Sequence, residues 1–97
     1  MATEQRPDGE TDWDKVSFVI RSEYRLKILD RLEDRPAIPS TISEDTEIQR
    51  THVSRALSEL REKEIIDLLV PDERKKGRIY GLTEQGSEIF QEADEMV

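Results

Sequence analysis

Residues 50–64 read Arg-Thr-His-Val-Ser-Arg-Ala-Leu-Ser-Glu-Leu-Arg-Glu-Lys-Glu. Val53, Ala56, Leu57 and Leu60 fall at i, i+3, i+4 and i+7, the spacing that lines one side of an α-helix with apolar groups. The pattern changes directly afterwards. Ile65-Ile66-Asp67-Leu68-Leu69-Val70 is short, apolar and partly β-branched, and Pro71-Asp72 ends it. Arg78-Ile79-Tyr80-Gly81-Leu82 is a second short run, with Tyr80 and Leu82 on one face. A polar connection ending in Gly77 joins them, so the two runs are predicted to form a β-hairpin. Its tip carries a dense basic cluster, Arg74-Lys75-Lys76-Gly77-Arg78.

Working outward, Pro39 suits the first turn of a short helix, where a missing N–H is harmless. That helix runs to about Asp45 and buries Ile42; Thr46-Glu47-Ile48 makes the turn into residue 50. Ser22 is the expected N-cap of a helix through Asp34, with Leu26, Leu29 and Leu32 every three residues and Ile28 widening the stripe. Arg35-Pro36 ends it, because proline pushes its predecessor out of the helical region. Trp13, Val16, Val19 and Ile20, with Phe18, suggest a short amphipathic helix. Thr83 caps a last helix, Glu84 to about Met96, whose apolar face is Ile89, Phe90, Ala93 and Met96. Residues 1–11 contain Pro7, Gly9 and almost nothing apolar, and are expected to be a disordered acidic tail. Residues 12–97 are expected to form a single domain. A short helix, a tight turn and a longer helix make a helix-turn-helix. The following two-stranded β-hairpin makes it winged. The predicted class is therefore α+β, mainly helical, with flanking N- and C-terminal helices.

The chain has 97 residues and a net charge of −8, from 23 acids against 15 bases. Taken whole, that charge argues against a nucleic-acid partner. Its distribution does not. Residues 1–14 sum to −4 and residues 84–97 to −5, which leaves +1 for residues 15–83. Arginine outnumbers lysine ten to five. An excess of acids with few lysines fits a salt-rich cytoplasm better than an ordinary acidic surface. The absence of cysteine excludes a disulfide scaffold, a cysteine zinc site and a thiol sensor. No run is long and apolar enough to span a membrane, and no apolar stretch follows the first residues as in a secretory signal. A cytoplasmic location is expected. There is no nucleophile–base pair, no glycine-rich phosphate loop and only one histidine, so no enzyme and no cofactor are expected.

Three stretches carry a family resemblance: Pro39-Ser40-Thr41-Ile42, Thr51 to Leu60, and Gly77-Arg78-Ile79-Tyr80-Gly81-Leu82-Thr83-Glu84-Gln85-Gly86. With them the chain resembles the ArsR/MarR-type winged-helix transcription regulators, particularly the small ones of haloarchaea. The similarity covers roughly residues 23–93. It implies binding of double-stranded DNA, usually as a homodimer, with the second helix of the motif in the major groove and the wing beside it. Effector sensing does not carry over with it, because the metal ligands and the extra helices of larger relatives are missing, and a small-molecule effector stays open.

The residues agree with that implication. At 100° per residue, with Val53 at the origin, Leu57 and Leu60 fall at roughly 40° and 340°, on the core side. Thr51, Arg55 and Ser58 fall at roughly 160°, 200° and 140°, pointing away from it. Gln49, Arg50, Thr51, His52, Ser54, Arg55 and Ser58 are therefore the candidate DNA contacts of this helix. Arg55 suits a bidentate contact to guanine, and the hydroxyls suit phosphates or a thymine edge. Glu59 and Glu62 lie outward but further along, where they limit how far the helix can lie in a groove. Arg74, Lys75, Lys76 and Arg78 are the candidate wing contacts to the backbone. His52 has no second histidine or cysteine to form a metal site. Trp13, Phe18, Ile89, Phe90, Ala93 and Met96 fit either the chain's own core or a two-fold pairing of the terminal helices; the pairing is preferred. Two positions depart from the family. Glu47 stands where such turns often have glycine, and Gln49 replaces the usual Ser or Thr cap. The alternative function is a winged-helix module for protein contact in a replication, plasmid-maintenance or transcription complex, which the net charge favours.

Overall fold

The structure, a computed structural model, describes residues 12–71 and 77–97. The expected tail (1–11) and the wing residues Arg74, Lys75 and Lys76 lie outside the described residues. Helices α1 (Trp13–Ile20), α2 (Glu23–Asp34), α3 (Pro39–Thr46) and α4 (Arg50–Glu62) are followed by strands β1 (Ile66–Leu68) and β2 (Tyr80–Leu82) and by helix α5 (Glu84–Met96). This is the predicted mainly helical winged helix-turn-helix.

The helix ends follow from local chemistry. Asp12 accepts from the Lys15 N–H at 3.3 Å and Ser22 from the Arg25 N–H at 3.3 Å, starting α1 and α2. Arg35, extended before Pro36, ends α2. Pro39 opens α3 at its first turn, and no side chain caps it. Glu47, left-handed at φ 62, closes α3 with its N–H on the Ser43 carbonyl at 2.8 Å. The Ser43 hydroxyl donates to the Ile48 carbonyl, which seals the turn and tucks Ile48 into the core.

Helix α4 stops at Glu62, two residues before the sequence pattern suggests. Glu64 turns left-handed (φ 63). Its N–H bonds the Arg61 carbonyl at 2.9 Å, and the Ile65 N–H reaches back to Leu60 at 3.0 Å. This pair of bonds is a Schellman closure, with buried Leu60 and Ile65 as its apolar clasp. A glutamate in the glycine position hid it from the sequence.

Strands β1 and β2 pair antiparallel, Ile66 with Leu82, Asp67 with Gly81 and Leu68 with Tyr80. A Leu69 N–H to Ile79 carbonyl bond of 2.7 Å continues the pairing toward the wing. The α2–α3 connection adds a bridge that the sequence did not reveal. Ala37 and Tyr80 exchange backbone bonds of 3.0 and 2.9 Å, which ties the start of α3 to the root of the wing.

Thr83 starts α5 by accepting from the Gly86 N–H at 2.8 Å while donating to the Glu64 carbonyl at 2.8 Å. The buried side chains form one cluster. It joins Val16 and Val19 of α1, Ile28, Leu29 and Leu32 of α2, Ile42 of α3, the four apolar residues of α4, Ile65, Ile66, and Ile89, Phe90 and Ala93 of α5. Helix α1 packs against α5 and α2 of its own chain. Ile89, Phe90 and Ala93 are buried within the chain, where α1 packs against α5. Phe18 is half-buried. Trp13 and Met96 remain 56% and 60% exposed.

Candidate nucleic-acid interface

The core side of α4 is Val53, Ala56, Leu57 and Leu60, all buried against the other helices. Burial of that stripe fixes the rotation of the helix, so the opposite side must face water. Gln49, Arg50, Thr51, His52, Ser54, Arg55 and Ser58 are all exposed there. Among the described residues, no ion pair engages Arg50 or Arg55. The N-cap Gln49 makes no side-chain hydrogen bond to the first turn, so α4 begins with open N–H groups beside Arg50, a setting that favours an anion. Arg78 is half-buried near the root of the wing and has a contact of its own.

Two contacts from the first turn of α2 flank this face. The Tyr24 ring lies 5.0 Å from the His52 ring, tilted by 35°. The imidazole thus has an aromatic neighbour, and among the described residues no three His, Asp or Glu side chains are grouped to hold a metal. Arg25 is more deeply engaged. It donates to the Phe18 carbonyl at 2.6 Å, to Glu59 Oε1 at 3.0 Å, and its guanidinium sits 3.6 Å over the Phe18 ring. Glu59, read from sequence as an outward acid opposing DNA, is therefore paired on the flank of α4. Neither contact was legible, because Arg25 and Glu59 are 34 residues apart and only helix packing brings them together. On the far side, Arg31 bonds Asp45 at 2.6 Å and the Arg35 carbonyl at 3.1 Å, tying α2 to the helix before the turn.

An exposed helix of this composition, held rigidly beside a wing, has close structural parallels. YodB from Bacillus subtilis, in its diamide-treated form, superposes with a TM-score of 0.74 at 24% identity, over 97% of this chain and 90% of that one. The zinc-responsive MarR family member ZitR from Lactococcus lactis gives 0.65 at 23% identity, over 76% and 51%. A mutant MarR from E. coli, solved in complex with operator DNA, gives 0.68 at 17% identity, over 84% and 62%. At these identities the likeness establishes the fold alone, a winged helix. The chain spans about half the length of ZitR (51%). No curated protein matches it. One family model does match, HVO_A0261 N-terminal domain, and since it covers residues 13–97 the chain belongs to this family.

Proposed function

We propose that the chain is a DNA-binding transcriptional regulator that sets α4 in the major groove and the 71–78 wing on the adjacent backbone. The observation that carries this is the outward side of α4. Seven polar or basic residues stand exposed together, two of them arginines without ion pairs among the described residues, opposite a fully buried stripe. In this arrangement Arg55 reads a guanine edge, Thr51, Ser54 and Ser58 meet phosphates or a thymine methyl, and Arg50 and the open first turn hold a phosphate. The wing bases, Arg74, Lys75, Lys76 and Arg78, supply backbone contacts.

The reading includes a homodimer, which the exposed Trp13 and Met96 support, on a near-palindromic site. It works sterically, by occupying promoter DNA. The acidic, lysine-poor composition supports a salt-adapted, haloarchaeal source and a cytoplasmic setting. A mobility-shift titration tests it: Arg55→Ala is expected to weaken the selected duplex by about 1–3 kcal/mol and to relax preference at one base pair. Unchanged binding by that variant would remove α4 from the groove.

The net charge of −8 favours one other reading, a winged-helix module for protein contact. It predicts no DNA affinity at moderate salt and full tolerance of neutralising the four wing bases.

A further inference from the structure

Arg25, in the first turn of α2, engages Glu59, four residues from the arginine that the DNA-binding reading places in the groove. Arg55 and Glu59 are four residues apart on α4, the spacing at which side chains on a helix meet and opposite charges pair. Left to itself, Glu59 lies within reach of Arg55 four residues before it and of Lys63 four residues after it. In the structure Glu59 Oε1 is taken by Arg25 Nη2 at 3.0 Å, and Arg55 is exposed with no ion pair among the described residues.

Arg25 is well built to hold the carboxylate. Its side chain is only 17% exposed, against 40% for Glu59. Its other terminal nitrogen is anchored on the Phe18 carbonyl at 2.6 Å, and its plane rests on the Phe18 ring. Three contacts hold the guanidinium, its buried Nε alone lacking a hydrogen-bond partner, and a preorganised fork loses less entropy on pairing than the exposed Arg55 would. Partial burial also shields this pair from salt better than a pair on the open face.

We propose that Arg25 is a positioning residue for DNA recognition: it draws Glu59 to the flank of α4 and so keeps the Arg55 guanidinium free for a base. Without Arg25, Glu59 turns to Arg55, competes with the base for its donors and brings an unshielded carboxylate toward the phosphates. This inference rests on the groove placement of α4, and its test separates the two.

The test measures affinity for the duplex that the wild-type chain enriches from a randomised pool. Arg25→Met, which keeps the apolar stem over Phe18, is expected to weaken binding roughly three- to tenfold. Arg25→Met with Glu59→Gln is expected to return to within about twofold of wild type, because the competing charge is gone. Glu59→Gln alone is expected to change affinity less than about twofold, since that acid is already occupied. A merely structural Arg25 would leave the double variant as weak as the single one, and that result, or full binding by Arg25→Met, overturns the inference. A gain of threefold or more from Glu59→Gln alone also overturns it, and that variant alters only a half-exposed side chain should Arg25→Met fail to fold. If the wild-type chain enriches no duplex, the regulator reading falls and this inference with it. If wild type binds and Arg55→Ala does not, while the rescue fails, only the role of Arg25 is lost.

Discussion

Two glutamates carry the backbone through left-handed conformations that glycine adopts without strain. Glu47 (φ 62) closes α3 and Glu64 (φ 63) closes α4. An L-residue there costs about 1 kcal/mol. Their replacement by glycine relieves that cost but frees the unfolded chain, so Glu47→Gly is expected to stabilise the fold by no more than about 0.5 kcal/mol in denaturant unfolding. Gly86 shows the opposite constraint. A Cβ at this position would lie 1.8 Å from the Ile65 carbonyl oxygen and 3.1 Å from the Thr83 hydroxyl. The start of α5 rests directly on the backbone leaving α4, and only hydrogen fits between them. Gly86→Ala must push α5 away and disturb the Thr83 cap, so it is expected to destabilise by about 3 kcal/mol and to lower Tm accordingly. The glycine of the Leu-Thr-x-x-Gly stretch thus has a packing reason in this chain.

At the scale of elements, the position of α4 is over-determined. Its apolar stripe fixes rotation, its C-terminal closure fixes length, and the first turn of α2 grips its flank at His52 and Glu59. Positions 52 and 59 are two turns apart on one side, so Tyr24 and Arg25 together hold the helix against rolling. The Tyr24–His52 contact is an aromatic pair worth about 1 kcal/mol. Tyr24→Ala is expected to cost that much stability and to weaken DNA binding no more than His52→Ala does, whereas Tyr24→Phe is expected to leave both unchanged. A loss with Tyr24→Phe in a filter-binding titration would instead make the phenol hydroxyl a DNA contact. The wing root is fixed in a comparable way. The Ala37–Tyr80 bridge binds the hairpin to the chain entering α3, so the helix-turn-helix and the wing share one backbone frame.

Over the whole molecule, charge and apolar surface point to solvent and partner. The sums of −4 and −5 sit in the end segments, and residues 15–83 carry +1. At molar salt the Debye length is about 3 Å, so distant acids neither repel DNA nor help to attract it. On the proposed DNA-binding reading, close contacts from Arg50, Arg55 and the wing would then carry affinity. The plot of log affinity against log salt is expected to be shallower than full counterion release from all of these bases demands, and a slope of about 0.9 per base counted would contradict this. Trp13 is the single tryptophan and is more than half exposed. If it lies at a two-fold interface, its emission is expected to shift to the blue as concentration rises through the dimer range. Trp13→Glu is expected to yield a folded monomer by sedimentation; a dimer that survives this change would place the interface elsewhere.

Period and punctuation were legible in the amino-acid order because they are local. The stripes at Val53–Leu60 and Leu26–Leu32, the caps Ser22 and Thr83, the breaks at Pro36 and Pro71 and the alternation through Tyr80 and Leu82 each depend on neighbours within a few residues. They were enough to order the elements and to turn Arg55, Thr51 and Ser58 outward. Tertiary packing alone decided the rest. It buried Ile89, Phe90 and Ala93 within the chain, bridged Ala37 to Tyr80, and paired Glu59 with Arg25. An amphipathic pattern states that a face must be covered but not by what. An ion pair goes to whichever partner the fold has already immobilised, and that choice is made across 34 residues of chain, beyond the reach of any local pattern.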